Sequence, residues 1–137
     1  MEAPPTVDPE RSRVMRAVKG KDTKPEMLVR RYLWGAGLRY RLHRKDLPGT
    51  PDIVFIGKHL ALFVHGCFWH GHEGCNRHRI PATRREYWVT KITNNKLRDE
   101  RNHAALRSLG WTVHVIWECE IRDARRMETL LNEVRNA

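Results

Sequence analysis

Residues 60–75 read Leu-Ala-Leu-Phe-Val-His-Gly-Cys-Phe-Trp-His-Gly-His-Glu-Gly-Cys. Three of the chain's eight histidines (His65, His70, His72) and two of its three cysteines (Cys67, Cys75) fall within eleven residues of this run. Clusters of histidine, cysteine and acidic side chains mark metal or catalytic sites more often than they mark simple packing. The run begins apolar and then becomes polar, so the cluster is expected where a buried strand opens into a loop. A site placed at the end of a rigid element can hold its groups accurately.

Cys67, His72, Cys75 and the distant Cys119 form a Cys-x4-His-x2-Cys set with one further cysteine. A closed structural zinc site takes four ligands, and three cysteines with one histidine are a common set. On spacing alone His70 and His78 compete with His72 for the fourth place. Such a site would tie the loop to the segment around Cys119.

A second chemistry is suggested by Asp52. Two apolar runs, 52–56 and 60–65, are separated by Gly57-Lys58 and read as adjacent central strands of a covered sheet. A two-residue hairpin loop would pair Ile56 with His59 and set Asp52 opposite Phe63. Side chains alternate along a strand, so Asp52 and His65 then become diagonal neighbours on one face, within reach of one metal ion or one phosphate. Alone, Asp52 would be an ordinary strand-start residue. Magnesium binds carboxylates, carbonyls and water, and Asp52 with the Val64 carbonyl offers such a set. A histidine, His65 or His70, would then be the natural general base for a water attacking a phosphodiester. Pro51-Asp52 at a strand start is also how restriction-type nucleases present their first carboxylate, although the Glu-x-Lys that usually follows is missing here.

The remaining elements must position these groups. Residues 1–8 are Pro-rich and read as a flexible arm, and Asp8-Pro9 opens a first helix to about Lys19. Thr23 and Glu26 have capping-box spacing and start a second helix that reaches about Ala36 and stops at Gly37. Residues 38–43 alternate apolar and basic side chains, which suggests an edge strand. Thr83 and Glu86 form a second capping box, before a long helix to about Leu109. Trp88, Ile92, Asn95, Asp99, Asn102, Leu106 and Leu109 step along its inner face. Asp99 is thereby an acid on a core-facing stripe, placed to orient a catalytic histidine. A fourth strand, 111–117, precedes Cys119, and a last helix over about 124–134 packs through Met127, Leu130, Leu131 and Val134. The order α, α, β, β, β, α, β, α predicts one α/β domain over residues 1–137.

The charge narrows the partner. The 137 residues carry 26 Lys and Arg against 16 Asp and Glu, a net charge of +10, and a pI near 10.2. A polyanion is the expected partner, and nucleic acid the commonest one. No apolar run approaches the ~20 residues of a membrane span, and the first residues do not resemble a secretory signal. A cytoplasmic protein with reduced cysteines is expected. Phe68, Trp69 and Trp88 beside the ligand cluster suit wedges that enter a base stack, although a place in the core would equally explain Trp88.

His65-Gly-Cys-Phe-Trp-His70 resembles the signature of very short patch repair endonucleases, bacterial enzymes that nick DNA at T:G mismatches. The likeness extends over Arg13-Val-Met-Arg-Ala, Asp22-Thr-x-x-Glu26, Leu47-Pro-Gly-x-Pro-Asp52, Pro81-Ala-Thr-Arg-x-Glu-Tyr-Trp88, Arg98-Asp99, Leu109-Gly-Trp and Trp117-Glu-Cys119. The resemblance implies a restriction-endonuclease-like α/β core: a central mixed four-stranded sheet flanked by helices, with a structural zinc site. It implies that Asp52 and the Val64 carbonyl bind magnesium, that His70 activates water with His65 as the second active-site histidine, and that Asp99 supports the base. Glu26 is implied as an acid near the metal waters. Cys67, His72, Cys75 and Cys119 are implied as zinc ligands, and Phe68, Trp69 and Trp88 as the wedge beside the mismatch. Val64 stands where the familiar pattern has threonine, a change that leaves the backbone carbonyl in place, and the loop from His70 to Cys75 is one residue longer.

The implied function is a magnesium-dependent, strand-specific nick 5′ to the thymine of a T:G mismatch left by deaminated 5-methylcytosine. The implied substrate is double-stranded DNA, with a functional link to a cytosine-5 DNA methyltransferase and mismatch-repair proteins, and a monomer is the default expectation. Two rivals remain: a zinc-stabilised DNA-binding module without catalysis, and a restriction-type nuclease cutting both strands.

Overall fold

The computed structural model describes residues 23–75 and 80–137. The expected first helix, the Pro-rich arm and His78 lie outside these residues. In order, the elements are helix α1 (Lys24–Gly35), strands β1 (Arg41–Leu42), β2 (Ile53–Phe55) and β3 (Leu60–His65), helix α2 (Arg85–Ser108), strand β4 (Thr112–Trp117) and helix α3 (Ala124–Arg135). The four strands form one mixed sheet in the order β1-β2-β3-β4, antiparallel across the first two pairs and parallel between β3 and β4. The parallel pair requires a crossover, and α2 supplies it.

Alternation in β3 divides the core into two layers. Leu60 and Leu62 face α1 and α3, packing with Val29, Leu33, Ile116, Met127, Leu130 and Val134. Ala61 and Phe63 face the other way, toward Leu106 of α2. His65 is two residues beyond Phe63 and continues that second face. The α3 stripe Met127, Leu130, Leu131 and Val134 is buried as its spacing predicts.

The pairing register agrees with expectation, but the turn that makes it does not. Phe55 pairs with Leu60 and Ile53 with Leu62, which continues the register that sets Asp52 opposite Phe63. The connection is a 3₁₀ turn, Ile56–Lys58, closed by a left-handed His59, rather than a two-residue hairpin loop. The longer turn adds one residue to each side, so the register is preserved.

Three further boundaries differ. The strand expected over residues 38–43 shortens to Arg41–Leu42, because His43 turns into the left-handed region at φ 47°. The capping box expected at Thr83 and Glu86 does not form. Arg84 is left-handed at φ 57° and is itself the residue before the helix, with no side-chain cap, so Thr83 is one turn residue too early. Leu109 is not core. It follows the last helical residue and is 61% exposed. By contrast the Thr23 cap does form, its hydroxyl accepting the Glu26 N–H at 3.4 Å.

Candidate active site and metal centre

A cleft of about 400 Å³ opens where β3 runs into the histidine-rich loop. Its lining includes Glu26 from α1, Asp52 just before β2, Val64 and His65 from β3, Phe68 to His70 from the loop, and Asn95, Arg98 and Asp99 from α2. These residues are distant in sequence, and the hairpin and the crossover helix bring them together.

The loop after β3 is a run of tight turns. The His70 N–H donates to the Gly66 carbonyl at 3.2 Å and the His72 N–H to the Cys67 carbonyl at 2.9 Å. Gly71, at φ 62°, lies against α2. A Cβ there would stand 2.8 Å from Ile92 Cγ2 and from Lys96 Cδ, so the loop approaches the helix this closely only as glycine. The Cys67 N–H donates to Glu118 at 3.2 Å, which ties the loop to the end of β4.

One ligand group is complete in this arrangement. Ligand atoms of Cys67, His72, Cys75 and Cys119 lie within 4.8 Å of one another, and Cys119 Sγ is 3.4 Å from His72 Nδ1. Burial, with the neighbouring thiols, pushes the Cys67 thiol up to about 12 and also raises Cys119. Crowded soft donors that resist ionisation alone are stabilised as thiolates by a dication, so the donor set fits zinc. Of the three candidates for the fourth place, His72 stands with the cysteines, His70 does not, and His78 lies outside the described residues. The His72 ring stacks on Trp117 at 4.1 Å, whereas His70 turns to α2.

His70, His65 and Asp99 form a second group. His70 Nδ1 is 2.6 Å from Asp99 Oδ2. Pairing with a carboxylate places the proton on Nδ1 and leaves Nε2 as the acceptor. Burial acts to raise the Asp99 pKa, but the His70 hydrogen bond and nearby imidazoles outweigh it and hold Asp99 below the usual carboxylate range. His65 lies parallel to His70, with ring centroids 3.8 Å apart. Burial, reinforced by His70, lowers its pKa to about 3, so it stays neutral beside its partner. The imidazole suited to accept a proton is therefore His70.

Asp52 belongs to a third group. It lies with Glu26 and His43, not with the His65 group, although Asp52 and Glu26 line the same cleft as His65, His70 and Asp99. Its Oδ2 accepts the Val64 N–H at 2.8 Å. Burial raises the Asp52 pKa to about 6, and the neighbouring Glu26 charge adds to this against the Val64 N–H, His43 and His70. Glu26 is 1% exposed and bonded to His43 Nε2 at 2.7 Å and to Arg30 at 3.2 Å. A buried carboxylate beside a half-buried one is costly without a cation, and hard oxygen donors fit a divalent metal such as magnesium.

The aromatic residues are more enclosed than a loop position suggests. Trp69 is 5% and Trp88 2% exposed, while Phe68 is half-buried. Phe68 meets both edge-on, at 5.3 and 5.6 Å. Wrapping the loop over α2 is what buries Trp69.

A match to the family of the DNA mismatch endonuclease Vsr spans residues 6–77. The chain belongs to this family. Relatives cover nearly all of it. The type II nicking enzyme V.XorIIP of Xanthomonas oryzae pv. oryzae is 52% identical over 129 residues, 93% of this chain and 94% of the relative. V.NmeAIP, a type II nicking enzyme of Neisseria meningitidis, is 42% identical over 93% of each chain. The DNA mismatch endonuclease Vsr of Escherichia coli is 42% identical over 85% of this chain and 74% of its own. The protein is thus a Vsr-family DNA mismatch endonuclease, a hydrolase that nicks a phosphodiester bond.

Sequence reasoning missed His43, which is assigned to an edge strand by its neighbours' alternation but turns to Glu26. It also missed His103, whose ring lies 4.7 Å from Phe63 and 5.8 Å from His65. His103 is four residues after Asp99, the one signal that could have placed it on the same helix face.

Proposed function

We propose that this Vsr-family enzyme makes a magnesium-dependent, strand-specific nick 5′ to the thymine of a T:G mismatch in double-stranded DNA. Such mismatches arise when 5-methylcytosine deaminates, and the nick starts very short patch repair. The observation that carries this reading is the His70–Asp99 pair set in the same cleft as the carboxylates Glu26 and Asp52. Magnesium held by Asp52 and the Val64 carbonyl would neutralise phosphate charge and acidify a bound water.

The chain's own residues do the rest. Asp99 fixes the His70 tautomer, and Nε2 takes the proton of the attacking water. Asp99 then stabilises the imidazolium that results. His65, neutral and stacked on His70, adds no opposing charge as that proton arrives, and serves as the second active-site histidine. Glu26, whose carboxylate His43 and Arg30 hold still, would stand as an acid near the waters of a bound metal. Cys67, His72, Cys75 and Cys119 would hold a structural zinc, and through them the loop on which His70 sits would be fixed to the segment after β4. Phe68, Trp69 and Trp88 form the wedge beside the mismatch: Phe68 presents the accessible edge, and the buried Trp69 and Trp88 brace it. The restriction-endonuclease-like core acts as a monomer in the cytoplasm, in functional partnership with a cytosine-5 DNA methyltransferase and mismatch-repair proteins.

The test is nicking of end-labelled duplexes with and without magnesium. A single nick 5′ to thymine in the T:G duplex, none in the matched duplex and none without the metal is the expected result. Cleavage of both strands of matched DNA, or binding with no cleavage, would favour one of the two rivals.

A further inference from the structure

The cleft is acidic inside a strongly basic chain. Among the described residues its lining carries four carboxylates, Glu26, Asp52, Asp99 and Glu118, but a single lysine or arginine, Arg98. The net charge of +10 draws DNA to the surface, yet within the cleft a phosphodiester meets mostly negative groups. Residues 63–65 of β3, where the chain passes Asp52, supply no lysine or arginine either.

Arg98 is also held by a specific device. Its Nη2 donates to Asn95 Oδ1, one helical turn earlier on α2. Asn95 is 4% exposed, an uncommon depth for an amide on a helix. Its Nδ2 donates to the Trp69 carbonyl at 3.0 Å. The amide is thus clamped between the histidine-rich loop and the guanidinium, and it sets where the guanidinium points. Asp99, next in sequence, is engaged by His70. With one nitrogen of its fork held, a guanidinium keeps further donors suited to two oxygens of one phosphate.

We propose that Arg98, positioned by Asn95, binds the non-bridging oxygens of the scissile phosphate in this cleft. The assignment rests on the nicking reaction proposed above. Arg98 offsets phosphate charge as the attacking water adds to it, and Asn95 is a positioning residue that acts through Arg98.

The experiment combines single-turnover nicking with binding to duplexes that carry one neutral methylphosphonate at successive positions. Arg98→Ala should lower the nicking rate at saturating protein by roughly a hundredfold, as loss of one charge-stabilising donor does. Arg98→Lys should recover part of it. Asn95→Ala should slow nicking with little change in affinity. Arg101→Ala, on the same helix but outside the cleft, should leave the rate near the parent's. One methylphosphonate, 5′ to the mismatched thymine, should weaken binding by the parent but not by Arg98→Ala. Parental nicking by Arg98→Ala once DNA is saturating would overturn the proposal, reducing Arg98 to a general attracting charge. If the parent nicks no duplex, the proposed reaction fails, and the methylphosphonate scan still decides the contact. A position sensed by the parent and ignored by Arg98→Ala supports it, and no such position refutes it.

Discussion

Half-buried Asp52 and buried His65 are titratable groups in one cleft, and they pull metal-free stability in opposite directions. His65 has a folded pKa near 3 against an ordinary 6.5, so the unfolded chain takes its proton first as pH falls. The stability its neutral burial contributes is complete above about 6.5 and is lost toward 3. Asp52 has a folded pKa near 6 against 3.8, so its ionisation costs stability as pH rises through that window. Asp52→Asn keeps an acceptor for the Val64 N–H and removes the buried charge. In magnesium-free buffer it should gain on the order of 2 kcal/mol at neutral pH and almost nothing near pH 4, read by thermal unfolding, while nicking is abolished. The same gain at both pH values would mean that Asp52 is not ionised against its surroundings. His70 and His72 are separated by a pair of alanine variants. His70→Ala should stop nicking with zinc retained, and His72→Ala should lower zinc content and stability together. Zinc lost from His70→Ala instead would exchange the two roles. At this scale the sequence was informative because residue type names the chemistry: Asp52, His70, Asp99 and the three cysteines all reach the cleft or the ligand cluster. His43 was not legible, because only its left-handed backbone turns it toward Glu26, and no spacing rule reports that.

The elements place those residues through close packing of the loop on α2. Gly71 has both a left-handed φ and no room for a Cβ. Gly71→Ala should displace the loop from Ile92 and Lys96, moving His70 away from Asp99 and Trp69 away from Asn95. Nicking should fall at least tenfold, because small misplacements of a catalytic group cost about a hundredfold, while the sheet and overall fold persist by circular dichroism. Unchanged nicking would mean that the loop is set by its cysteine-histidine cluster alone. Periodicity made the helices and β3 readable in advance, and the hairpin register held although the turn was of another kind. Apolar alternation specifies register more strongly than turn chemistry does, since a one-residue slip would turn β3's core side chains outward. The Thr83 cap failed for the opposite reason. Capping is a local conformational fact, and a left-handed Arg84 defeats a correct-looking spacing.

For the whole molecule, charge and recognition are separable. The excess of lysine and arginine makes affinity for any duplex electrostatic, because each phosphate neutralised releases counterions. On the proposed reading, discrimination for the mismatch comes from Phe68, Trp69 and Trp88, through the lower cost of unstacking a weakened base pair rather than through added charge. Raising salt from about 50 to 200 mM should therefore weaken binding to matched and T:G duplexes by a similar large factor, on the order of a thousandfold if six or more phosphates are contacted. The ratio of the two affinities should stay nearly constant. Phe68→Ala should do the reverse, lowering the ratio while leaving the salt slope unchanged. Fluorescence anisotropy with both duplexes across a salt series measures both quantities. If salt collapses the ratio, then mismatch recognition is itself electrostatic. A phosphate path distorted by the mismatch, and not the aromatic cluster, would then be what this protein reads.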